Sequence, residues 1–152
     1  MKNKQVLNIN QMQHLQELGL DTSNASMLYC DLYDEEYILV ESKRRFDKEE
    51  NAILLEGVRN SVIYCKKVTP AYTLQDVLDA LPKYYHIANN GWTKLSIRVH
   101  TTKEWEIGYV YTDELSKYAF GCRILGKELI DAAYELFCWC VEWGFVETNK
   151  NE

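Results

Sequence analysis

Several chemistries are missing from this sequence, and each absence narrows what the chain can be. Its five cysteines form no C-x-x-C pair and follow no regular spacing. Cys138 and Cys140 lie two apart in a helical stretch and so point in different directions, which makes a shared metal awkward. The expected state is buried reduced thiols, and with it a reducing cytoplasm. No segment is long and apolar enough to span a bilayer, and the opening MKNKQVLNIN has no apolar signal-peptide core. A cytoplasmic protein without a membrane partner is therefore expected. The three histidines, His14, His86 and His100, belong to no H-E-x-x-H motif and sit at no close ligand spacing with a cysteine. No serine stands in a G-x-S-x-G elbow. A nucleophile and base brought together from distant segments would leave no such trace. The adjacent carboxylates Asp113 and Glu114 read as a solvated turn before they read as a catalytic dyad. No catalytic, cofactor-binding or metal-ligating residue is assigned, and the expectation is a protein that is not an enzyme. Repeats, low-complexity tracts and linkers are absent as well, so residues 1–152 are read as a single domain.

What is present is the composition of a globular protein. The 152 residues are 47% hydrophobic and 26% charged, enough to bury a sizeable core. The net charge of −6 disfavours a general binder of phosphate backbones, so a nucleic-acid partner is not expected. The one basic region holds Lys43, Arg44, Arg45 and Lys48, with Lys66 and Lys67. Interleaved acids make a solvated loop the preferred reading there. A local anion or nucleic-acid contact, with Arg44 and Arg45 as candidates and tyrosines nearby, is the alternative.

The strongest pattern is Gly126 to Phe145, GKELIDAAYELFCWCVEWGF. Leu129, Ile130, Ala133, Leu136, Phe137, Cys140, Val141 and Trp143 fill roughly half of a helical wheel, wide enough to need a sheet and a neighbouring helix as partners. Gly126 is expected as N-cap, Glu128 in the first turn, and Gly144 at the left-handed C′ position with Phe145 folded back. Glu128, Asp131, Glu135 and Glu142 form the outer stripe, interrupted by Trp139. Trp139 either covers a sheet edge or the loop beyond, which is preferred, or anchors a partner beside Glu135 and Glu142.

Elsewhere, Asn8 with Gln11 makes a capping box, Leu7 and Met12 a hydrophobic staple, and Gly19 a helix stop. Thr73 and Asp76 cap a second helix that Pro82 ends. Leu28 to Val40 alternates as a hairpin, for which a three-residue loop pairing Cys30 with Val40 is expected. Residues 43–67 read either as a short helix capped by Asp47 or, in preference, as a hairpin of Ile53–Leu55 and Val62–Cys65. A further hairpin is expected to pair Val99 with Ile107 and to set His100 against Glu106, and Tyr118 to Leu125 is expected as one more extended piece. Hairpins outnumber crossovers, which predicts an α+β fold: a mainly antiparallel sheet built from hairpins, with about three helices packed on it.

GCRILGKE, Gly121 to Glu128, fits most of the P-loop pattern. It fails where the mechanism lives, because Glu128 replaces the hydroxyl that would hold magnesium and places an anion beside the phosphates.

DTSNASM (Asp21 to Met27), TPAYTLQDVLDALPK (Thr69 to Lys83) and LIDAAYELFCWCVEWGF (Leu129 to Phe145) together cover about a quarter of the chain. In these segments it resembles a group of small uncharacterised proteins from gut-bacterial phages and related mobile elements. In that group the stretch between the first two motifs is short, whereas here it carries residues 43–67. The resemblance implies no activity. Three functions stay open: a phage or mobile-element accessory protein that binds a protein partner, an acidic mimic of nucleic acid, and an unrecognised hydrolase or transferase.

Overall fold

Asn8 accepts a hydrogen bond from the Gln11 amide at 2.8 Å, and the Gln11 side chain returns one from the Asn8 amide at 3.0 Å. This reciprocal box starts α1, Ile9–Glu17. Leu7 and Met12 on either side of it are fully buried, as a staple requires. Gly19, at φ +94°, stops the helix; the Gly19 amide reaches the Gln16 carbonyl and the Leu20 amide the Leu15 carbonyl. The computed structural model describes residues 6–32, 37–42, 46–54, 62–87, 91–112 and 118–148.

After α1 come β1 (Met27–Asp31), β2 (Tyr37–Glu41), β3 (Phe46–Asp47), β4 (Ala52–Leu54), β5 (Val62–Tyr64) and β6 (Lys67–Ala71). Then follow α2 (Leu74–Ala80), β7 (Tyr84–Ile87), β8 (Gly91–Val99), β9 (Trp105–Tyr111), β10 (Tyr118–Gly126) and α3 (Leu129–Glu142). Among the described residues these make three antiparallel sheets, ordered β2-β1-β6, β3-β4-β5 and β10-β9-β8-β7. The fold is α+β, with its strands divided among three sheets instead of one.

The two motifs DTSNASM and TPAYTLQDV meet in space. The Asp76 carboxylate closes the capping box on the Thr73 amide at 3.0 Å and also accepts the Ser26 amide at 2.9 Å and the Ser26 hydroxyl. The Tyr72 hydroxyl donates to Asn24 Oδ1 at 3.0 Å. The start of β1 is thus tied to the N-terminus of α2. Leu7 donates to the Tyr72 carbonyl at 2.9 Å, which joins α1 to the end of β6.

The larger core lies between the three helices and the four-stranded sheet. Phe137, Leu136, Tyr109, Ile107, Val77 and Leu15 are almost wholly excluded from water there, each worth about 1.5–3 kcal/mol of transfer free energy. The Tyr109 hydroxyl is satisfied by the Pro82 carbonyl at 2.7 Å. Gln11 of α1 reaches Asp131 of α3 at 3.0 Å. A smaller core of Cys30, Leu32, Val40, Ile53 and Cys65 lies between β1, β2 and the β3-β4-β5 sheet.

Several expectations need correction. Cys30 pairs with Ile38 and Leu28 with Val40, two residues away from the expected register. Likewise Val99 pairs with Trp105 and Ile97 with Ile107, so Arg98, not His100, faces Glu106. A slip of two leaves every side chain on the same face, and burial therefore cannot choose between such registers. In the second hairpin Glu106, 7% exposed, stands opposite Arg98 of β8 in the ladder and forms an ion pair with Arg123 of β10 at 3.2 Å.

Residues 46–64 contain the preferred hairpin, with Ile53 opposite Ile63. Strand β3, not foreseen, adds to it. Asp47 does accept the Glu49 and Glu50 amides, at 3.0 and 3.3 Å, but these bonds close a turn that ends at Asn51 with φ +51°, not a helix. The expected turn at Gly57 to Asn60 lies outside the described residues.

Gly126 is not the N-cap of α3. It is the last residue of β10, paired with Trp105, and Glu128 is the N-cap, without a side-chain bond. A side chain there would be crowded: a Cβ would meet the Ala132 Cβ at 3.2 Å, tighter than ordinary contact, because the first turn of α3 packs directly on the strand. The C-terminal stop is as expected. Gly144 has φ +78°, and the Phe145 amide reaches the Cys140 carbonyl at 2.8 Å.

Candidate functional site

The outward side of α3 carries the residues singled out as an interaction surface. Glu135 and Glu142 are exposed. Asp131 and Glu128 are half-buried, and Asp131 is engaged by Gln11, so the acidic stripe narrows to its C-terminal half. Arg44 and Arg45 lie outside the described residues, as do Lys43, Asp113 and Glu114. Lys48, Lys66 and Lys67 are exposed.

Trp139 is half-buried. Its ring lies 5.8 Å from that of Trp143 and 5.5 Å from that of Phe145, so the chain folded back by Gly144 covers one side of it. This is the preferred covering role. Trp143, by contrast, was expected in the apolar arc and is 66% exposed. The helical angle is right but the helix has run out: Trp143 is the C-cap of α3, and the buried face ends at Val141. The wheel treats every residue as if the partner surface extended the full length of the helix. Counting back one position from the C′ glycine would have located Trp143 at the rim.

Beneath this surface, Cys138 is half-buried and raised to about 11, first by burial and then by the charges of Glu142 and Glu135, against the lowering hydrogen bond with Tyr134. Burial, followed by the bond to Cys138, pushes Tyr134 up as well. Burial and the two carboxylates thus favour the thiol over the reactive thiolate. Cys30 is raised by burial and by its contact with the Cys65 thiol in the smaller core.

The remaining candidates are scattered. His14 edges onto Tyr134 at 6.3 Å, His86 onto Trp92 at 5.2 Å, and His100 Nδ1 sits 3.0 Å from the Thr102 hydroxyl in the β8–β9 turn. Among the described residues, no three of His, Cys, Asp and Glu gather as a metal site would require. The P-loop-like segment is extended strand as far as Gly126. Successive strand amides alternate in direction and do not converge on one phosphate. No helix among the described residues is long and apolar enough to cross a membrane.

Two open cavities stand out. One, of about 520 Å³, runs between α2 and the β7–β8 edge, lined by Leu78, Asp79, Lys83, Lys94, Leu95 and Ile97 among others. The other, of about 370 Å³, is mostly apolar and lies beside Ala25, Leu28, Phe46 and Pro70. In the first, Asp79 accepts the Gln75 amide and the Lys83 ammonium donates to the Leu78 carbonyl. Comparison of the chain with protein-family models, with curated proteins and with solved structures gives no match in any of the three.

Proposed function

We propose that the chain acts by binding a protein partner and not by catalysis, as an accessory protein of a phage or mobile element working in the cytoplasm. The observation that carries this reading is Trp143, 66% exposed at the end of α3 while its ring is held against Trp139. A large aromatic that is already ordered loses little side-chain freedom on binding, and such residues dominate interface energetics. Phe145, 37% exposed, extends the apolar patch, and Glu142 and Glu135 supply an acidic rim suited to a basic counterpart. The nucleic-acid-mimic reading has less support, since Asp131 is committed to Gln11.

Affinity capture from the host bacterium with the wild-type chain and with Trp143→Ala tests the proposal. A specific partner recovered by the first and lost by the second is expected. Because Trp143 packs on Trp139, the substitution should cost about 0.5–1.5 kcal/mol, and an unchanged circular dichroism spectrum separates loss of binding from unfolding. A partner retained by Trp143→Ala removes the α3 surface from consideration. Trp139→Ala makes a poorer probe, as it also opens the packing under Phe145.

A further inference from the structure

We propose that the edge of β8 beyond the end of β7 is a strand-addition site for an extended segment of a protein partner that alternates apolar and acidic residues. This concerns a second surface and stands whether or not the α3 cluster binds anything.

Strand β7 covers only part of β8. Their ladder pairs Tyr84–Ile87 with Lys94–Gly91, and its last bond runs from the Leu95 amide to the Lys83 carbonyl at 2.9 Å. At Pro82 the chain has left the edge, and its carbonyl accepts the Tyr109 hydroxyl. Strand β8 continues to Val99 with no neighbour on that side among the described residues.

The direction of the free groups follows from the bonds that are made. The Trp92 carbonyl accepts from Thr112 at 3.1 Å and the His100 amide donates to Glu104 at 2.7 Å, both on the β9 side. Even-numbered residues of β8 thus turn their backbone groups toward β9, and odd-numbered ones, such as Leu95, turn theirs outward. Ile97 and Val99 therefore offer their amides and carbonyls to the open side. Neither a proline nor a bulge interrupts this stretch, and its charged residues are Lys94 and Arg98.

Side chains and charge then indicate what would pair there. Ile97, Val99 and Trp105 are 38%, 64% and 36% exposed on the face that carries the larger core, past the cover of the helices. The groove of about 520 Å³ beside them can receive an apolar side chain of an added strand. Backbone bonds would give affinity and this groove selectivity. Lys94 and Arg98, at even positions of β8, belong to the opposite face, where the alternate residues of a strand whose apolar side chains enter the groove would lie. Two copies of this chain joined edge to edge would bring their cationic β8 strands together, which like-charge repulsion opposes; glutamates on a partner strand would be attracted.

The test uses a short acetylated peptide in which valine and glutamate alternate, followed by fluorescence anisotropy and by amide exchange of Ile97 and Val99. Binding that slows exchange at both amides is expected. N-methylation of the valine amides and of the glutamate amides should differ, one series abolishing binding and the other sparing it, because only alternate peptide amides face β8. A lysine-for-glutamate peptide should bind about tenfold or more weakly. The proposal is overturned if the parent peptide does not bind, if both methylated series behave alike, or if the lysine peptide binds equally well. Protection of Ile97 and Val99 that grows with protein concentration alone would assign the edge to a second copy and overturn it too.

Discussion

The two hydrophobic cores are built on different terms. Among the described residues the larger joins sixteen buried residues, most of them from the three helices and the four-stranded sheet, whereas the smaller joins five, two of them cysteines, on or beside strands of two to five residues. Helices with capped ends and a wide apolar face can commit locally and then pack. Strands as short as β3 and β4 have no independent stability and exist only because β1 gives them a surface. Strand β1 serves both sides: Cys30 lies in the smaller core, while the Tyr29 hydroxyl on the opposite face donates to the Leu7 carbonyl at 2.8 Å, where α1 begins. The smaller core therefore depends on the larger one, and the dependence should not run equally in reverse.

That asymmetry can be broken experimentally. Phe137→Ala should have the largest effect, a loss of about 3–5 kcal/mol, and both cores should lose hydrogen-exchange protection together. Ile53→Ala should cost about 2 kcal/mol, the low end for such truncations, because open strand edges let its neighbours relax. Exchange at Cys30 and Ile63 should accelerate while Leu136 stays protected. Equal acceleration at all three would mean the two cores unfold as one unit. Thr73→Ala removes the hydroxyl that accepts the Asp76 amide at 3.1 Å and should cost about 1 kcal/mol in denaturant unfolding.

Alkaline pH gives the finest comparison, with no effect near neutrality. Tyr72 is raised from 10.0 to about 12, first by burial and then by Asp76 and Asp21, and Cys138 is raised from 9.0 to about 11. Both groups are neutral when protonated, and their folded values exceed the unfolded ones. Their stabilising contribution is complete below pH 9 and is lost between pH 9 and about 12 as the unfolded state gives up its protons first. Alkylation across this range should modify half-buried Cys138 before fully buried Cys30. The reverse order would show that the smaller core opens more readily than Cys138 is exposed.

Much of the candidate surface was legible and its decisive detail was not. Glu135 and Glu142 fall on water as their helical spacing implies, and Trp139 lies under the loop beyond the helix. The exposure of Trp143 depends on where the sheet beneath α3 stops, and helical periodicity contains no such term. The open edge of β8 was equally invisible, because it is defined by the strand that ends beside it. Arg44 and Arg45, outside the described residues, stay where the composition left them, in a basic stretch among acids.

What the amino-acid sequence determined by itself was local or periodic: the reciprocal caps at Asn8 and Thr73, the glycine stops at Gly19 and Gly144, the faces of the strands, and the α+β class. These depend on bonds between residues a few positions apart, or on an alternation that any one strand carries. Only the tertiary structure decided the two-residue offsets of both hairpins, the third sheet, the place of Gly126 in β10, and which tryptophan reaches the surface. The offsets are choices among registers that bury the same side chains on the same face, and the rest depend on where a neighbouring element begins or ends. The choice rests on contacts between separate elements, such as Arg123 of β10 beside Glu106 of β9.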